Sequence, residues 1–259
     1  MAFSGGCDSA FLAAAARQVL GKPAVLAVTA VSASLPTQEK QAVQNFVTAF
    51  DIEHVFITTD ELQNPKYTAN PSNRCFFCKT ELFEKLTPLA KNRNMRLVDG
   101  FNLSDRSDYR PGFQAAQEWN VEHPLDEANL DKHAIRTLSR WMHLPTWNKP
   151  ASPCLSSRIP YGMPVTSMTL MQIDRAENVL RSDGFPVVRV RHFGDTAKIE
   201  VPLSDIPRLK MTERWSRVVS ALKKIGYTYV SLDPRGFKSG RLNEILGQES
   251  KIGNETRAH

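Results

Sequence analysis

Short apolar runs alternate with helix-like segments through the first part of the chain. Residues 23–31 are almost continuously apolar and predict a buried parallel strand. Apolar side chains recur at helical spacing in residues 37–50, which predicts a helix there. The alternation continues with a strand at 54–58, a helix at 75–91 and a strand at 96–99. Strands that alternate with helices are typical of βαβ units, so this part predicts an α/β fold with a doubly wound, mostly parallel sheet.

The pattern changes in a proline-rich passage at residues 147–164. Beyond it, apolar spacing predicts a helix at 166–182, strands at 187–191 and 197–201, a helix at 215–225 and a strand at 227–232. This mixture predicts a second, smaller α+β domain. We therefore expect an N-terminal domain at 1–147, a C-terminal domain at 148–246 and a disordered polar tail at 247–259.

Composition narrows the class of protein. Of the 259 residues, 41% are apolar and 23% are charged, which is ordinary for a globular protein. No stretch approaches the roughly 18 apolar residues of a membrane helix and no secretory signal is recognisable, so we expect a cytoplasmic protein. The net charge of +6 suits an anionic ligand. The basic residues are dispersed and form no arm for RNA, so nucleic acid is not an expected partner.

A glycine turn near the start of the chain is the strongest chemical signal. Residues 4–9 read Ser-Gly-Gly-Cys-Asp-Ser and precede an apolar helical run. Adjacent glycines let the backbone approach a ligand, and the N–H groups of a helix N-terminus attract phosphate. The hexapeptide resembles the PP-loop, SGGxDS, of the ATP pyrophosphatases, and an ordinary capped turn is the alternative. The resemblance implies cleavage of ATP between its α and β phosphates with Mg²⁺, and assigns nucleotide binding to Ser4, Gly5, Gly6, Asp8 and Ser9.

The strand that should lead into this turn is short. Three residues precede Ser4, whereas a strand commonly has about five or six. Either the start of the chain is assigned late or the first strand is truncated. We expect weaker packing where that strand begins, with the phosphate site retained.

Carboxylates cluster after the strand predicted at 96–99. Residues 99–112 read Asp-Gly-Phe-Asn-Leu-Ser-Asp-Arg-Ser-Asp-Tyr-Arg-Pro-Gly. Asp99 is expected at the carboxyl edge of the sheet near the phosphates, and Asp105 and Asp108 follow in the same loop. Carboxylates beside a triphosphate usually hold Mg²⁺, which makes Asp105 a candidate metal ligand; a surface loop rich in Asp and Asn is the alternative.

Several segments together resemble the LarE family of ATP-dependent sulfur transferases, which work in the synthesis of the nickel-pincer nucleotide cofactor of lactate racemase. They are residues 99–112, 124–138, 184–191, 236–241 and 144–162, the last being close to the family's WxKPAxPCLxSRxPYG signature. The resemblance implies that carboxylates of a pyridinium-3,5-biscarboxylic acid mononucleotide are adenylated and converted to thiocarboxylates. It assigns catalysis to Cys154, Asp8 and Lys132, and nucleotide or substrate binding to Asp99, Gly100, Asn102 and Arg158. We also expect a homo-oligomer.

The cysteines point to metal binding or catalysis rather than to disulfides. Cys154 lies between Lys149 and Arg158, and neighbouring cations lower the pKa of a thiol. In LarE this cysteine can give up its own sulfur and become dehydroalanine. Cys75 and Cys78 face the same way on a predicted helix and, with Cys154, would supply three thiolates to a [4Fe–4S] cluster whose open iron carries a sulfide. A redox or persulfide relay and structural thiols are the alternatives, and a sulfide or persulfide donor is an expected partner.

Two arginines suggest where the substrate binds. Arg189 and Arg191 alternate with valines in a predicted strand, so both side chains lie on one face. Two guanidinium groups can clamp a phosphate, which the LarE substrate carries; a solvated strand face is the alternative. Glu177 and Glu200 are candidates to hold a metal or to orient these arginines. We therefore expect ATP to bind within 1–147 and the substrate within the C-terminal domain.

Two other functions stay open from the sequence. A tRNA thiolase also pairs a PP-loop with three cysteines around a cluster, and it fits the positive charge. Against it, the sequence has no additional cysteine pairs for zinc modules and no recognisable RNA-binding domain. A nucleotide sensor that kept the fold is the non-enzymatic alternative, and the presence of Asp99, Lys132 and Cys154 argues against it.

Overall fold

The structure, a computed structural model, describes residues 1–107 and 111–238, without the side chain of Ser107. Asp108, residues 239–241 of the LarE-like ending and the predicted tail at 247–259 lie outside the described residues. The chain divides into two compact units, Met1–Ser152 and Pro153–His259. The assignment of ATP to one domain and substrate to the other stays a prediction. None of the helices in the described ranges is long and apolar enough to cross a membrane.

A parallel sheet forms the centre of the first unit. Strand β1 (Leu26–Val31) pairs in parallel with β2 (Glu53–Thr58) along its whole length. On the other side of β1, Ala2 forms a parallel bridge with Val28 and its N–H donates to the carbonyl of Val98 at 2.8 Å. Val98 in turn bridges residue 122 in parallel. Two strands can pair only along the length of the shorter one. The segment predicted as a strand at 96–99 has short neighbours on both sides, and it therefore forms a single bridge.

Both faces of this sheet are covered by helices, as the predicted doubly wound fold requires. The helices of this unit are α1 (Cys7–Leu20), α2 (Thr37–Ala49), α3 (Pro65–Thr68), α4 (Arg74–Asn92), α5 (Pro111–Glu118), α6 (Pro124–Glu127) and α7 (Lys132–Trp141). Successive residues of β1 point to opposite faces. Ala27 packs in a core with α1, α2 and α7, whereas Leu26 and Val28 pack in a second core with α4 and α5. The α/β fold class and the helices predicted at 37–50 and 75–91 are confirmed.

The second unit is a three-stranded sheet with helices on one face. Its elements are α8 (Ser167–Ser182), β3 (Arg189–Phe193), β4 (Thr196–Glu200), α9 (Ile206–Leu209), α10 (Thr212–Ile225) and β5 (Tyr229–Leu232). Strand β4 lies in the middle, antiparallel to β3 and parallel to β5. Val190 and Ile199 pack against Leu180 of α8 and Leu222 of α10. The opposite face of β3 therefore carries Arg189 and Arg191, as the alternation predicts.

Candidate active site

The glycine turn is shaped by its own hydroxyl groups. The Ser9 hydroxyl accepts the N–H of Ser4 at 3.3 Å and donates to the carbonyl of Gly6 at 3.2 Å. The Ser4 hydroxyl accepts the N–H of Gly6 at 3.3 Å. Gly5 has a φ of +70°, and a Cβ there would lie 2.7 Å from Cγ2 of Val43. Gly6 is the N-cap of α1, and among the described residues no side chain caps the N-terminus of this helix. The first turn of α1 is thus available to an anion, as the PP-loop resemblance predicts.

Gly100 lies directly against that first turn. A Cβ on Gly100 would lie 2.9 Å from the nitrogen of Ser9, closer than a Cβ approaches another atom in proteins, and 3.1 Å from the Cα of Ser9. The backbone after residue 98 can therefore cross the helix N-terminus only because residue 100 is glycine. This contact places Asp99 and Gly100 beside the loop, at the carboxyl edge of the sheet.

Asp99 is an ionised carboxylate with an imidazole partner. It shares a 2.8 Å hydrogen bond with Nδ1 of His123 and accepts the N–H of Phe101 at 3.0 Å. Burial acts to raise the pKa of Asp99, but the hydrogen bond from His123, the charge of Lys79 and the Phe101 amide hold that pKa below its usual value. Sequence reasoning missed His123. The parallel bridge between residues 98 and 122 brings it next to Asp99, and no spacing along the chain indicates that bridge.

Asp8 and Lys132 are brought together at the loop. The ammonium of Lys132 is hydrogen bonded to Oδ2 of Asp8, whereas the buried Oδ1 of Asp8 has no partner among the described residues. Lys132 is held there because it is the first residue of α7, whose N-cap Asp131 accepts the N–H of Ala134 at 2.7 Å. The two residues that were predicted to be catalytic in this unit therefore form one pair.

A second lysine holds the loop from behind. The ammonium of Lys149 donates to the carbonyl of Gly5 at 2.9 Å and to Oε2 of Glu39 at 2.6 Å. Arg136 of α7 donates to the carbonyls of Trp147 at 2.8 Å and of Lys149 at 2.9 Å, which fixes this segment. An effect of Lys149 on the pKa of the Cys154 thiol stays a prediction. Glu39 was not predicted, because nothing in its helical context distinguishes it from a surface residue.

Asn102 and Asp105 form a turn after Asp99. Asn102 is fully buried, and Oδ2 of Asp105 accepts hydrogen bonds from its side-chain amide at 3.0 Å and from its backbone N–H at 3.2 Å. These contacts give Asp105 a part in shaping the loop. Its predicted role as a metal ligand and that of Asn102 as a nucleotide contact stay predictions.

The three candidate cluster cysteines are divided between the two units. Cys75 is exposed and Cys78 is partly buried, both near the start of α4. Cys154 is partly buried and caps a short 3₁₀ helix, Leu155–Arg158, in the second unit. Within residues 1–107 and 111–238, no three His, Cys, Asp or Glu side chains are arranged as a metal site. A shared cluster therefore stays a prediction.

Arg158 anchors the loop that carries Cys154. Its guanidinium is fully buried and makes two hydrogen bonds to Glu177, from Nε at 2.8 Å and from Nη2 at 3.0 Å. The remaining nitrogen donates to the carbonyl of Pro153 at 2.6 Å and to that of Cys154 at 3.1 Å. Arg158 thus positions the Cys154 backbone, and a direct ligand contact by Arg158 stays a prediction.

Arg189 and Arg191 lie on one face of β3 and both are buried. Arg189 donates to the carbonyl of Val188 at 2.8 Å and stacks over the ring of Phe237 at 5.2 Å. Burial and the charge of Arg158 lower the pKa of Arg189 to about 10, so it stays charged at neutral pH. Arg191 donates to the carbonyl of Ser157 at 2.7 Å and to Glu200 at 2.9 Å.

Buried arginines and glutamates of the second unit form a cluster of ion pairs. Glu177 binds Arg158 and, at 2.6 Å, Arg181 of α8, while Glu200 binds Arg191. Burial acts against the charge of Glu177, but Arg158 and its neighbours hold the pKa of Glu177 below its usual value. Arg189 adds a further cation to these pairs. Buried guanidinium groups of this kind are suited to bind anionic groups.

Comparisons with known proteins were made for the whole chain. No protein-family model matches it. The chain is 44% identical to the uncharacterized protein slr1717 of Synechocystis sp. over 95% of its length and 92% of that protein. The fold of an NH3-dependent NAD synthetase from Campylobacter jejuni, in complex with nitrate, aligns with a TM-score of 0.46 and 15% identity over 86% of this chain and 83% of that one.

A further relative gives the family. The chain is 36% identical to the pyridinium-3,5-bisthiocarboxylic acid mononucleotide synthase of Lactiplantibacillus plantarum, over 95% of this chain and 89% of that protein. Identity at this level extends across nearly the full length of both chains. The chain therefore belongs to the pyridinium-3,5-bisthiocarboxylic acid mononucleotide synthase family, which is the LarE family.

Proposed function

We propose that this protein is an ATP-dependent sulfur transferase that acts on a pyridinium-3,5-biscarboxylic acid mononucleotide. It adenylates the carboxylates and converts them to thiocarboxylates, with release of pyrophosphate and AMP. The observation that carries this proposal is the uncapped glycine loop with the Asp8–Lys132 pair, in a chain of this family. The name of the relative supplies the substrate class, and the loop supports the use of ATP.

The first unit supplies the groups that adenylation needs. The N–H groups at the start of α1 would bind ATP phosphates, and Lys132 would neutralise charge as pyrophosphate leaves. A carboxylate oxygen of the substrate would attack the α-phosphorus of ATP. The bond between the α-phosphorus and the oxygen that bridges it to the β-phosphorus would break, and pyrophosphate would leave. Oδ1 of Asp8, buried and without a partner among the described residues, is suited to hold Mg²⁺, which would stabilise the leaving group.

The second unit supplies the charge that the substrate needs. Arg189 and Arg191 would bind its phosphate, since both guanidinium groups lie on one face of β3. Arg158 holds the backbone at Cys154 through two carbonyl contacts. The thiol is thus presented by a fixed segment, which suits a group that must meet an activated carboxylate.

The sulfur has two candidate sources, both carried by the cysteines. In the first, the Cys154 thiolate attacks the acyl-adenylate and AMP leaves, which forms a thioester. A base then removes the Cα proton of Cys154 as the Cβ–S bond breaks, so the product leaves as a thiocarboxylate and dehydroalanine stays in the protein. In the second, Cys75, Cys78 and Cys154 would hold a [4Fe–4S] cluster that supplies a transferable sulfide. Thiolates suit this cluster, and three of them leave one iron position open.

The test of the proposed function is a single-turnover reaction with ATP and the mononucleotide. We expect pyrophosphate release that depends on the mononucleotide, and a product whose mass shows oxygen replaced by sulfur. Thiolation of tRNA without reaction of the mononucleotide would instead establish the tRNA thiolase function. Release of pyrophosphate with no requirement for the mononucleotide would contradict the proposed acceptor.

The two sulfur sources are separated by anaerobic purification. Stoichiometric iron and acid-labile sulfide that disappear in Cys75→Ser and Cys154→Ser, and persist in Cys7→Ala, would support the cluster. A protein without iron that loses the mass of one H₂S at Cys154 after turnover would establish the sacrificial route.

A further inference from the structure

Glu61 is a buried carboxylate that takes no part in the contacts described above. It is 2% exposed and begins a 3₁₀ helix, Glu61–Gln63, after β2. Its Oε1 accepts the hydroxyls of Ser32 and Ser34, each at 2.6 Å. Its Oε2 is buried and has no hydrogen-bond partner among the described residues. A buried carboxylate oxygen without a donor is costly, so a donor from outside the chain would satisfy it.

The topology places Glu61 at the edge where ATP is proposed to bind. Ser32 follows β1 directly, and Glu61 comes after the end of β2; the register Val31↔Thr58 brings these ends together. Residues 1–3 lie on the other side of β1 and lead into Ser4. Parallel strands end at one edge of a sheet, about 4.8 Å apart. Ser32 thus follows the strand next to the one that leads into the glycine loop, and Glu61 follows the second strand from it.

The chemistry of this group selects its ligand. A carboxylate repels phosphate, and one free oxygen beside two serine hydroxyls is a poor cage for a metal ion, which binds several oxygens at once. One acceptor oxygen instead suits one neutral N–H or O–H donor. ATP carries such donors on its nucleoside part, at the 6-amino group of adenine and at the ribose hydroxyls.

We propose that Glu61, held by Ser32 and Ser34, determines nucleotide specificity by accepting a hydrogen bond from the nucleoside part of ATP. This inference rests on the proposed use of ATP. The 6-amino group and the ribose hydroxyls share the required chemistry. A carboxylate would favour adenine over a base with a carbonyl at position 6, since that carbonyl is itself an acceptor.

The test measures binding of nucleotide triphosphates by calorimetry. The set is ATP, ITP, 2′-deoxy-ATP and 3′-deoxy-ATP, each with the wild type and with Glu61→Gln. Loss of the donor that meets Glu61 should weaken binding to the wild type by about 10- to 100-fold, as expected for a hydrogen bond to a charged group. In Glu61→Gln the same loss should cost less than about threefold. The control Glu53→Gln, at the opposite end of β2 and paired with Arg93 at the surface, should discriminate as the wild type does.

The outcomes separate this inference from the proposed function. If the difference in affinity between ATP and ITP disappears in Glu61→Gln, the 6-amino group is the donor to Glu61. If the difference between ATP and a deoxy-ATP disappears instead, the donor is the ribose hydroxyl that this deoxy-ATP lacks. A wild type that binds ATP, with every gap unchanged in Glu61→Gln, would overturn the role of Glu61 alone. A wild type that binds none of the four nucleotides would overturn the use of ATP and this inference with it. If Glu61→Gln does not fold, Ser34→Ala replaces it, because removal of this hydroxyl frees the carboxylate and should narrow the same gap.

Discussion

Single residues decide the chemistry of the loop, and Asp8 with Lys132 is the clearest case. One oxygen of Asp8 fixes the lysine, and the other is left for a cation or a donor. Both residues were identified from the sequence only through family resemblances. Their pairing could not be predicted, because they lie far apart in the chain. His123, Glu39 and Glu61 gave no sequence signal at all, since each acts through a partner that the fold brings close. The side chains of a motif could therefore be predicted, and the side chains that support them could not.

Replacement of Asp8 should abolish the reaction. Asp8→Ala removes the partner of Lys132 and the buried oxygen, so we expect pyrophosphate release that depends on the mononucleotide to fall below detection. The control Asp51→Asn changes a surface aspartate paired with Arg17 and should react at the wild-type rate. Unchanged release by Asp8→Ala would show that the loop is not the ATP site.

Replacement of Arg189 should affect the substrate alone. A charge-assisted phosphate contact is worth on the order of 1.5–3 kcal/mol, so Arg189→Ala should raise the KM for the mononucleotide by about 10- to 100-fold. The Kd for ATP should stay near the wild-type value, and the exposed Arg217→Ala should alter neither quantity. An equal loss of ATP affinity would argue against separate sites for the two ligands.

At the scale of elements, periodicity predicted the five strands and four of the longer helices, but not where the sheet ends. Helices α2, α4, α8 and α10 and strands β1 to β5 all lie where apolar spacing placed them, with ends shifted by a few residues. Such spacing indicates which face of a segment is buried. It does not indicate how many residues pair with neighbouring strands. Residues 96–99 have a strand pattern yet form one bridge, because the segments on both sides are short.

The backbone at Gly100 packs against the first turn of helix α1, so a larger residue at this position should weaken ATP binding. Gly100→Ala would push the backbone away from the first turn of α1, so ATP binding should weaken by about tenfold or more. Val19→Ala is the control, because Val19 lies in the same helix α1 but is 80% exposed near its other end. Calorimetry with ATP should separate the two variants; equal affinities would mean that this crossing does not shape the site.

For the whole molecule, buried charge links stability to pH. The pKa of Glu177 is lower in the folded protein than its usual value of 4.5, so folding is stabilised above that pH. This stabilisation is lost as the pH falls from 4.5 through the folded pKa. Glu177→Gln should therefore flatten the acid side of the stability profile measured by urea unfolding. A variant profile with the same acid slope as the wild type would assign the loss of stability to other carboxylates.

Breaking the Arg158–Glu177 pair should be costly. Arg158→Met leaves a buried carboxylate without its bidentate partner and frees two loop carbonyls. Loss of one member of a buried pair costs about 3–5 kcal/mol, so the free energy of unfolding of the second unit should fall by that amount. Arg217→Met, at an exposed arginine paired with Asp183, should change it by less than about 1 kcal/mol.

The anchoring of the Cys154 loop has a consequence for the life of the protein in the cell. Arg158 grips backbone carbonyls and not the thiol, so conversion of Cys154 to dehydroalanine would leave every one of these hydrogen bonds in place. A spent chain would then be as well folded as a fresh one and would offer proteases no loosened segment. Should the sacrificial route operate, exhausted molecules would accumulate beside active ones, and cells would need synthesis in proportion to cofactor demand. Cys154→Ala, which mimics the spent state, should accordingly melt at the wild-type temperature.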